Sequence, residues 1–197
     1  MHTGHHFYFE DAKNQPLLMG MLTQTLAWRY AQQLVAPAEL QARPQVQVAL
    51  TFPPHDHRPG RGHIDGITPP EDDGRPGTFT MLAGIVLSDQ TRDDMGNLVV
   101  WPGTHLRTAD YLREHGADAI LSTGGYPPVE YGDPVQVHAA PGDLILASYL
   151  LSHNISANTS PVIRRTLCYR LHVRDHRHNW RRAVTDSLAE FPATQST

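Results

Sequence analysis

An antiparallel β sandwich or jelly roll with a covering N-terminal helix is the fold this sequence predicts, on three observations. Short apolar runs with β-like alternation recur from residue 46 onward. They are separated by Gly, Pro, Asp and Asn clusters, in a chain that holds 15 Gly and 16 Pro. No regular helical pattern lies between the runs, so the crossover helices that a parallel sheet needs are missing. The 197 residues suit a single domain, 1–197, that buries roughly 70% of the surface its unfolded chain exposes.

The elements follow in order. Residues 15–35 carry Leu18, Leu22, Leu26, Tyr30 and Leu34 on one stripe, which predicts an amphipathic helix closed by Pro37. Val46, Val48, Leu50 and Phe52 alternate with polar residues and predict a half-buried strand that Pro53-Pro54 stops. Further strands are expected at 79–87, 97–101, 134–139, 144–151 and 162–173, giving a core over about 44–173. Two stretches exceed hairpin length and read as lid or insert loops: 66–78, acidic through Glu71, Asp72 and Asp73, and 106–133, with a short helix through Tyr111, Leu112 and Arg113. Residues 174–197 read as a basic, solvated tail, with a short helix over 180–191 and a frayed end from Pro192.

Composition narrows the function. With 16 Lys+Arg against 20 Asp+Glu, a net charge of −4, the chain has no basic stripe for neutralising phosphates, so nucleic acid is not the expected partner. No apolar stretch approaches membrane-spanning length and residues 1–10 lack a secretory core, which makes the expected compartment the cytoplasm and predicts no membrane partner. A lone Cys168 excludes an intramolecular disulfide. Thirteen histidines beside one cysteine favour a nitrogen and oxygen metal site over a thiolate one. Nothing in the sequence speaks to oligomeric state.

Four local features carry the chemistry. In Gly62-His63-Ile64-Asp65-Gly66, His63 and Asp65 stand two apart, so on a strand both face one ion. Pro141-Gly142-Asp143 launches an apolar strand that ends in Ser152-His153-Asn154. The last long strand alternates Arg164, Thr166 and Cys168 on one face with Arg165, Leu167, Tyr169, Leu171 and Val173 on the other. The first face offers a guanidinium among small side chains, suited to a carboxylate; the second, more apolar, is expected under a helix. The fourth feature, Gly96-Asn97 through Pro102-Gly103-Thr104-His105, ends in a turn and a histidine that reads as structural. Each alone is weak. Two histidines and one carboxylate around a metal leave three positions open, the arrangement of non-haem Fe(II) oxygenases. Asp65 lies 88 residues before His153, and His153 eleven before Arg164.

Taken together, these motifs resemble the phytanoyl-CoA dioxygenase family of Fe(II)- and 2-oxoglutarate-dependent oxygenases: GHIDG at 62–66, GNLVVWPGTH at 96–105, PGDLILASYLLSH at 141–153 and Arg164, in that order. The resemblance implies a double-stranded β-helix (jelly roll, cupin-like), with His63, Asp65 and His153 as iron ligands. It also implies Arg164 as the partner of the far 2-oxoglutarate carboxylate, O2 as co-reactant and ascorbate as a supporting reductant. Members often carry Gly-Ser after the distal histidine; Asn154-Ile155 stand here, so Ser156 or Thr166 would take the serine's place. Ile64 replaces a frequent Gln. The expected reaction is hydroxylation of an unactivated C–H bond in a small molecule, because related halogenases have Gly or Ala where Asp65 stands. Desaturation, ring closure and epimerisation stay open.

Ile67, Trp101 and Tyr149 are the expected substrate or lid residues. The acidic 66–78 loop favours a neutral or cationic substrate over a CoA thioester. Two rivals remain at this point: a jelly roll that binds a ligand without turnover, and a cupin metalloenzyme that does not use 2-oxoglutarate. The other histidines read blandly. His2, His5 and His6 sit at a terminus expected to be mobile, and His55 and His57 are expected near the entrance, not on the metal.

Overall fold

The computed structural model describes residues 3–8, 15–67 and 70–194. Among the described residues eight strands form two antiparallel sheets, and the antiparallel class is the one the pattern of the chain predicts. The major sheet has the order β1 (Gly4–Tyr8), β2 (Leu40–Phe52), β8 (Arg164–Val173), β3 (Met81–Val86), β6 (Leu144–Ser148). The minor sheet has the order β5 (Val135–Gln136), β4 (Leu98–Val100), β7 (His153–Ile155). Successive side chains of a strand face opposite ways, and β8 uses both faces. Leu167, Tyr169, Leu171 and Val173 join Val46, Met81, Ala83 and Ile85 in a buried layer. Helices α1 (Pro16–Thr23) and α2 (Leu26–Val35) cover that layer with Leu22, Ala31 and Val35. The Tyr169 hydroxyl ties α1 down by donating to Leu18 O at 2.6 Å.

The single helix expected over 15–35 is therefore two. Thr25 divides them: its hydroxyl donates to Met21 O and accepts from the Ala27 N–H, ending one helix and capping the next. The break turns only part of the predicted stripe outward: Leu26 and Tyr30 are more than half exposed, while Leu22 stays in the core with Ala27, Ala31 and Val35.

A second correction concerns the terminus. Residues 4–8 form the edge strand β1, paired with β2 from Gly4↔Phe52 to Tyr8↔Val48; His2 lies outside the described residues. Two more segments hold the helices expected at Tyr111–Arg113 and over 180–191, but with other bounds and more helix than expected. Most of the first half of 106–133 belongs to α3 (Thr104–His115) and α4 (Ala119–Ser122), and the basic tail contains α5 (His176–Thr185). Ala109 and Leu112 of α3 pack with Trp180 and Val184 of α5 in a second core. Helix α5 starts four residues before the expected Trp180 because its buried face at i, i+4 and i+8 includes a histidine: His176, Trp180 and Val184. His176 is 2% exposed and held by Glu190 and Thr78. Residues 192–194 form a short 3-10 turn, and 195–197 fall outside the described residues.

The 66–78 loop, of which 68–69 are not described, closes on itself through the Gly77 N–H to Gly66 O at 2.7 Å. A Cβ on Gly66, at φ +72°, would lie 2.2 Å from Gly77 O, so glycine is required there. The loop's acidity is largely compensated: Glu71 and Asp73 each pair with both Arg75 and Arg177.

Candidate metal centre

His63 and His153, ninety residues apart, meet through the backbone. Each N–H donates to the other's carbonyl at 3.0 Å, a hydrogen-bonded antiparallel pair that sets the two side chains opposite one another. The imidazole centroids stand 4.8 Å apart. On its other side His153 pairs with Val100, so β7 is held from both edges. The approach needs Gly62: a Cβ there would sit 2.6 Å from Trp101 and 2.9 Å from His153 N. Asp65 comes round two residues later and places Oδ1 at 3.5 Å from His63 Nε2 and 3.9 Å from His153 Nε2.

The three donor atoms lie within 4.8 Å of one another, and among the described residues no other group of three His, Cys, Asp or Glu converges so closely. His153 Nδ1 bonds Leu151 O at 3.0 Å, which directs Nε2 inward as metal-binding histidines require. Burial works against ionisation of Asp65. The hydrogen bond from His63 and the nearness of His153 and of the Arg170 guanidinium outweigh it and hold the carboxyl well below its usual range. Burial lowers His153 and keeps it neutral, the form that ligates. Two imidazole nitrogens and a carboxylate oxygen fit a divalent first-row metal.

Arg164 stands on the same inner face of the major sheet. It is 4% exposed, its Nε has no hydrogen-bond partner, and burial lowers its pKa. Among the described residues no carboxylate is one of the groups that shift it, and the one thiol nearby, Cys168, is pushed up by burial toward its neutral form. A buried guanidinium without a counterion is costly unless an anion arrives. Gly96, at φ +76°, lets the chain pass over it, since a Cβ would meet Arg164 Cβ at 2.9 Å. Asn97 fixes that passage: fully buried, it donates to Gln90 O and Val137 O and accepts from the Met95 N–H.

Sequence reasoning missed two residues here. The register places His5, Thr51 and Arg164 in one row across β1, β2 and β8. His5 Nδ1 bonds Thr51 Oγ1 at 2.8 Å, and its Nε2 is buried without a partner. Burial, then Arg164, push His5 down to about 3. His55 and His57 stack at 5.3 Å, and each also has a buried, unpartnered Nε2. The other missed residue is Arg170, whose Nη2 lies 3.2 Å from Asp65 Oδ2. Strand alternation from Arg164 marks its face, but only the fold brings Asp65 beside it.

The remaining expected residues divide. Thr166 stays on the Arg164 face and accepts from Gln90 Nε2 at 3.2 Å. Ser156 does not join it: its Oγ accepts the Asn97 N–H and donates to Ala157 O, a fully structural use. Trp101 packs beneath Gly62 and edge-on to Tyr131, and Ile67 is 2% exposed in the second core, so both serve the wall. Tyr149 has a buried, unpartnered hydroxyl within the field of Asp65 and Arg170, and burial raises its pKa. A cavity of about 270 Å³ reaches Arg170 and is lined also by Arg43, Gln45, Glu71 and His172. Larger clefts of about 490 and 780 Å³ are lined by none of the three donors.

No protein-family model matches the chain, and no curated protein matches it in sequence. Solved structures do match in fold. HygX from Streptomyces hygroscopicus, crystallised with nickel and 2-oxoglutarate, superposes with a TM-score of 0.56 at 15% identity, covering 88% of this chain and 72% of that one. EctD from S. alaskensis, with 2-oxoglutarate and 5-hydroxyectoine, gives 0.53 at 18% identity, over 85% of this chain and 56% of EctD. The non-haem α-ketoglutarate-dependent epimerase SnoN from nogalamycin biosynthesis gives 0.55 at 14%, over 85% of this chain and 60% of SnoN. The jelly-roll fold of these enzymes is the fold of this chain. Among the described residues no helix is long and apolar enough to cross a membrane.

Proposed function

We propose that the protein is an Fe(II)- and 2-oxoglutarate-dependent dioxygenase that hydroxylates a small molecule, within one catalytic domain. The observation that carries this reading is the pairing of a His63/Asp65/His153 donor set with an orphaned, buried Arg164 on the inner wall of the same jelly roll. HygX and EctD, crystallised with 2-oxoglutarate on the same fold, support it. His63, Asp65 and His153 would hold the iron, and Arg164 the far carboxylate of 2-oxoglutarate. Bound together, iron and cosubstrate supply the oxidising chemistry, consuming O2 and releasing succinate and CO2.

The chain's own contribution is binding and exclusion. Arg164 receives the anion in a buried site, where a charge-assisted fork is strongest. His5, neutral and with a free Nε2 in the same row, is a second donor for that anion. Thr166 keeps the wall narrow beside Gly84. Ile67 and Trp101 brace the Gly62–Gly66 turn, and Tyr149 and Arg170 border the side from which a substrate approaches.

The test is direct. Replacing His63 or Asp65 by Ala should abolish succinate formation from 2-oxoglutarate with Fe(II) and ascorbate, and wild-type turnover in either variant would refute the assignment. Anaerobic addition of Fe(II) and 2-oxoglutarate should produce a weak visible charge-transfer band. Its absence would favour a ligand-binding jelly roll or a 2-oxoglutarate-independent cupin.

A further inference from the structure

Resting on that reading of the metal centre, we propose that Arg170 is its positioning residue, holding Asp65 by one carboxylate oxygen so that the other faces the two imidazoles. The two oxygens have separate neighbours. Oδ1 lies 3.5 and 3.9 Å from the Nε2 atoms of His63 and His153, whereas Oδ2 lies 3.2 Å from Arg170 Nη2. The guanidinium therefore leaves the metal-facing oxygen free.

Arg170 is itself held. It stands on the inner face of β8, six residues beyond Arg164, and pairs in register with Leu82 of β3. Its Cζ rests 5.3 Å above the Phe79 ring, which is 2% exposed and meets Tyr149 edge-on at 4.7 Å. A stacked guanidinium is a stiff support, unlike a free lysine. The last torsion of an Asp side chain is broad and nearly two-fold, so an unsupported carboxylate would present either oxygen, or neither squarely, to an ion. Fixing it from behind is what outer partners do for metal ligands in general, and their loss typically costs about 10- to 100-fold in metal affinity or activity.

The charge of Arg170 makes the proposal sharp, because charge and positioning predict opposite signs. A cation this close to the centre repels a divalent metal, so if it acted through charge alone its removal would tighten binding. If it positions Asp65, removal loosens binding.

The experiment is an anaerobic Co(II) titration of the metal-free full chain, followed by calorimetry and by visible absorption, with no cosubstrate and no turnover. Arg170→Met should bind Co(II) about tenfold more weakly and alter the shape of the visible bands. Arg170→Lys, which keeps one donor on the same face, should recover part of the loss. Near-ultraviolet circular dichroism checks that each variant is folded; should Arg170→Met fail it, Arg170→Gln takes its place with the same expectation. Unchanged or tighter Co(II) binding in a folded Met or Gln variant overturns the proposal while leaving the metal centre standing. Failure of the wild-type chain to bind Co(II) overturns both.

Discussion

Two arginines on one face of β8, six residues apart, live in opposite electrostatic settings. Arg164 is 4% exposed, has an unpartnered Nε and, among the described residues, has no carboxylate beside it. Arg170 is about a quarter exposed, stacks on Phe79 and faces Asp65. The same side chain is thus buried with an unpartnered Nε at one end and ion-paired with Asp65 at the other. What separates them is whether the fold has already supplied the counter-charge.

The comparison can be broken first at Arg164. Its replacement by Ala should raise the 2-oxoglutarate concentration needed for half-maximal succinate formation on the order of 100-fold, since hydrogen bonds to a charged partner contribute about 1.5–3 kcal/mol each. Arg165→Ala, one residue along and exposed, should change it less than twofold. The reverse ranking would mean that the faces of β8 are exchanged.

Gly96→Ala attacks the same end without touching a charge. Its Cβ would have to displace Arg164 and Thr51 from a backbone at φ +76°, costing about 1–3 kcal/mol in stability. Denaturant unfolding measures that loss, and a weaker response to 2-oxoglutarate should accompany it. The equivalent change at Gly60, where nothing lies within 4 Å of a Cβ, should do neither.

Acid should act near both arginines, because each has a histidine nearby that is pushed down to about 3: His5 beside Arg164, and His172 two residues beyond Arg170. For His172, burial is the main cause, with Arg43 and His176 adding to it. The unfolded chain protonates such a group near pH 6.5 while the folded one resists to about pH 3. Stability from this source is therefore full above pH 6.5 and is lost as the pH falls toward 3, by about 2 kcal/mol at pH 5. Unfolding curves at pH 7 and pH 5 should show the loss, and His172→Asn should shrink it.

The smallest effect is expected from His5. His5→Ala should raise the 2-oxoglutarate requirement a few-fold, one neutral hydrogen bond contributing about 1 kcal/mol, and His5→Gln should restore part of it. No change in either would confine the anion site to Arg164.

Much of this was legible before any coordinates. The alternation along β8 separates Leu167, Tyr169 and Leu171, which pack under the helices, from Arg164 and Thr166. The Pro141-Gly142-Asp143 turn launches β6 as its residues suggest, with Gly142 at φ +97° and Asp143 Oδ2 accepting the Ala140 N–H. The misreadings share a cause. Residues 4–8 are too short to show a period, and become a strand only because β2 offers an unpaired edge. The first turn of α5, ahead of the expected start at Trp180, carries no apolar residue, and gains its place from the Glu190 carboxylate on His176. Ser156 looked available because nothing local reveals that Asn97, 59 residues away, takes its oxygen.

By itself, the sequence determined the antiparallel class of the fold, the two faces of β8, and a donor set whose chemistry suits a divalent metal. Those follow from side-chain period and residue type, which are local properties. Tertiary structure alone decided which polar groups meet: His5 with the Arg164 row, Arg170 with Asp65, and Glu71 and Asp73 with Arg177. Such meetings depend on register between segments distant in the chain, and a side chain's field reaches its partner only after the backbone hydrogen bonds have closed that distance.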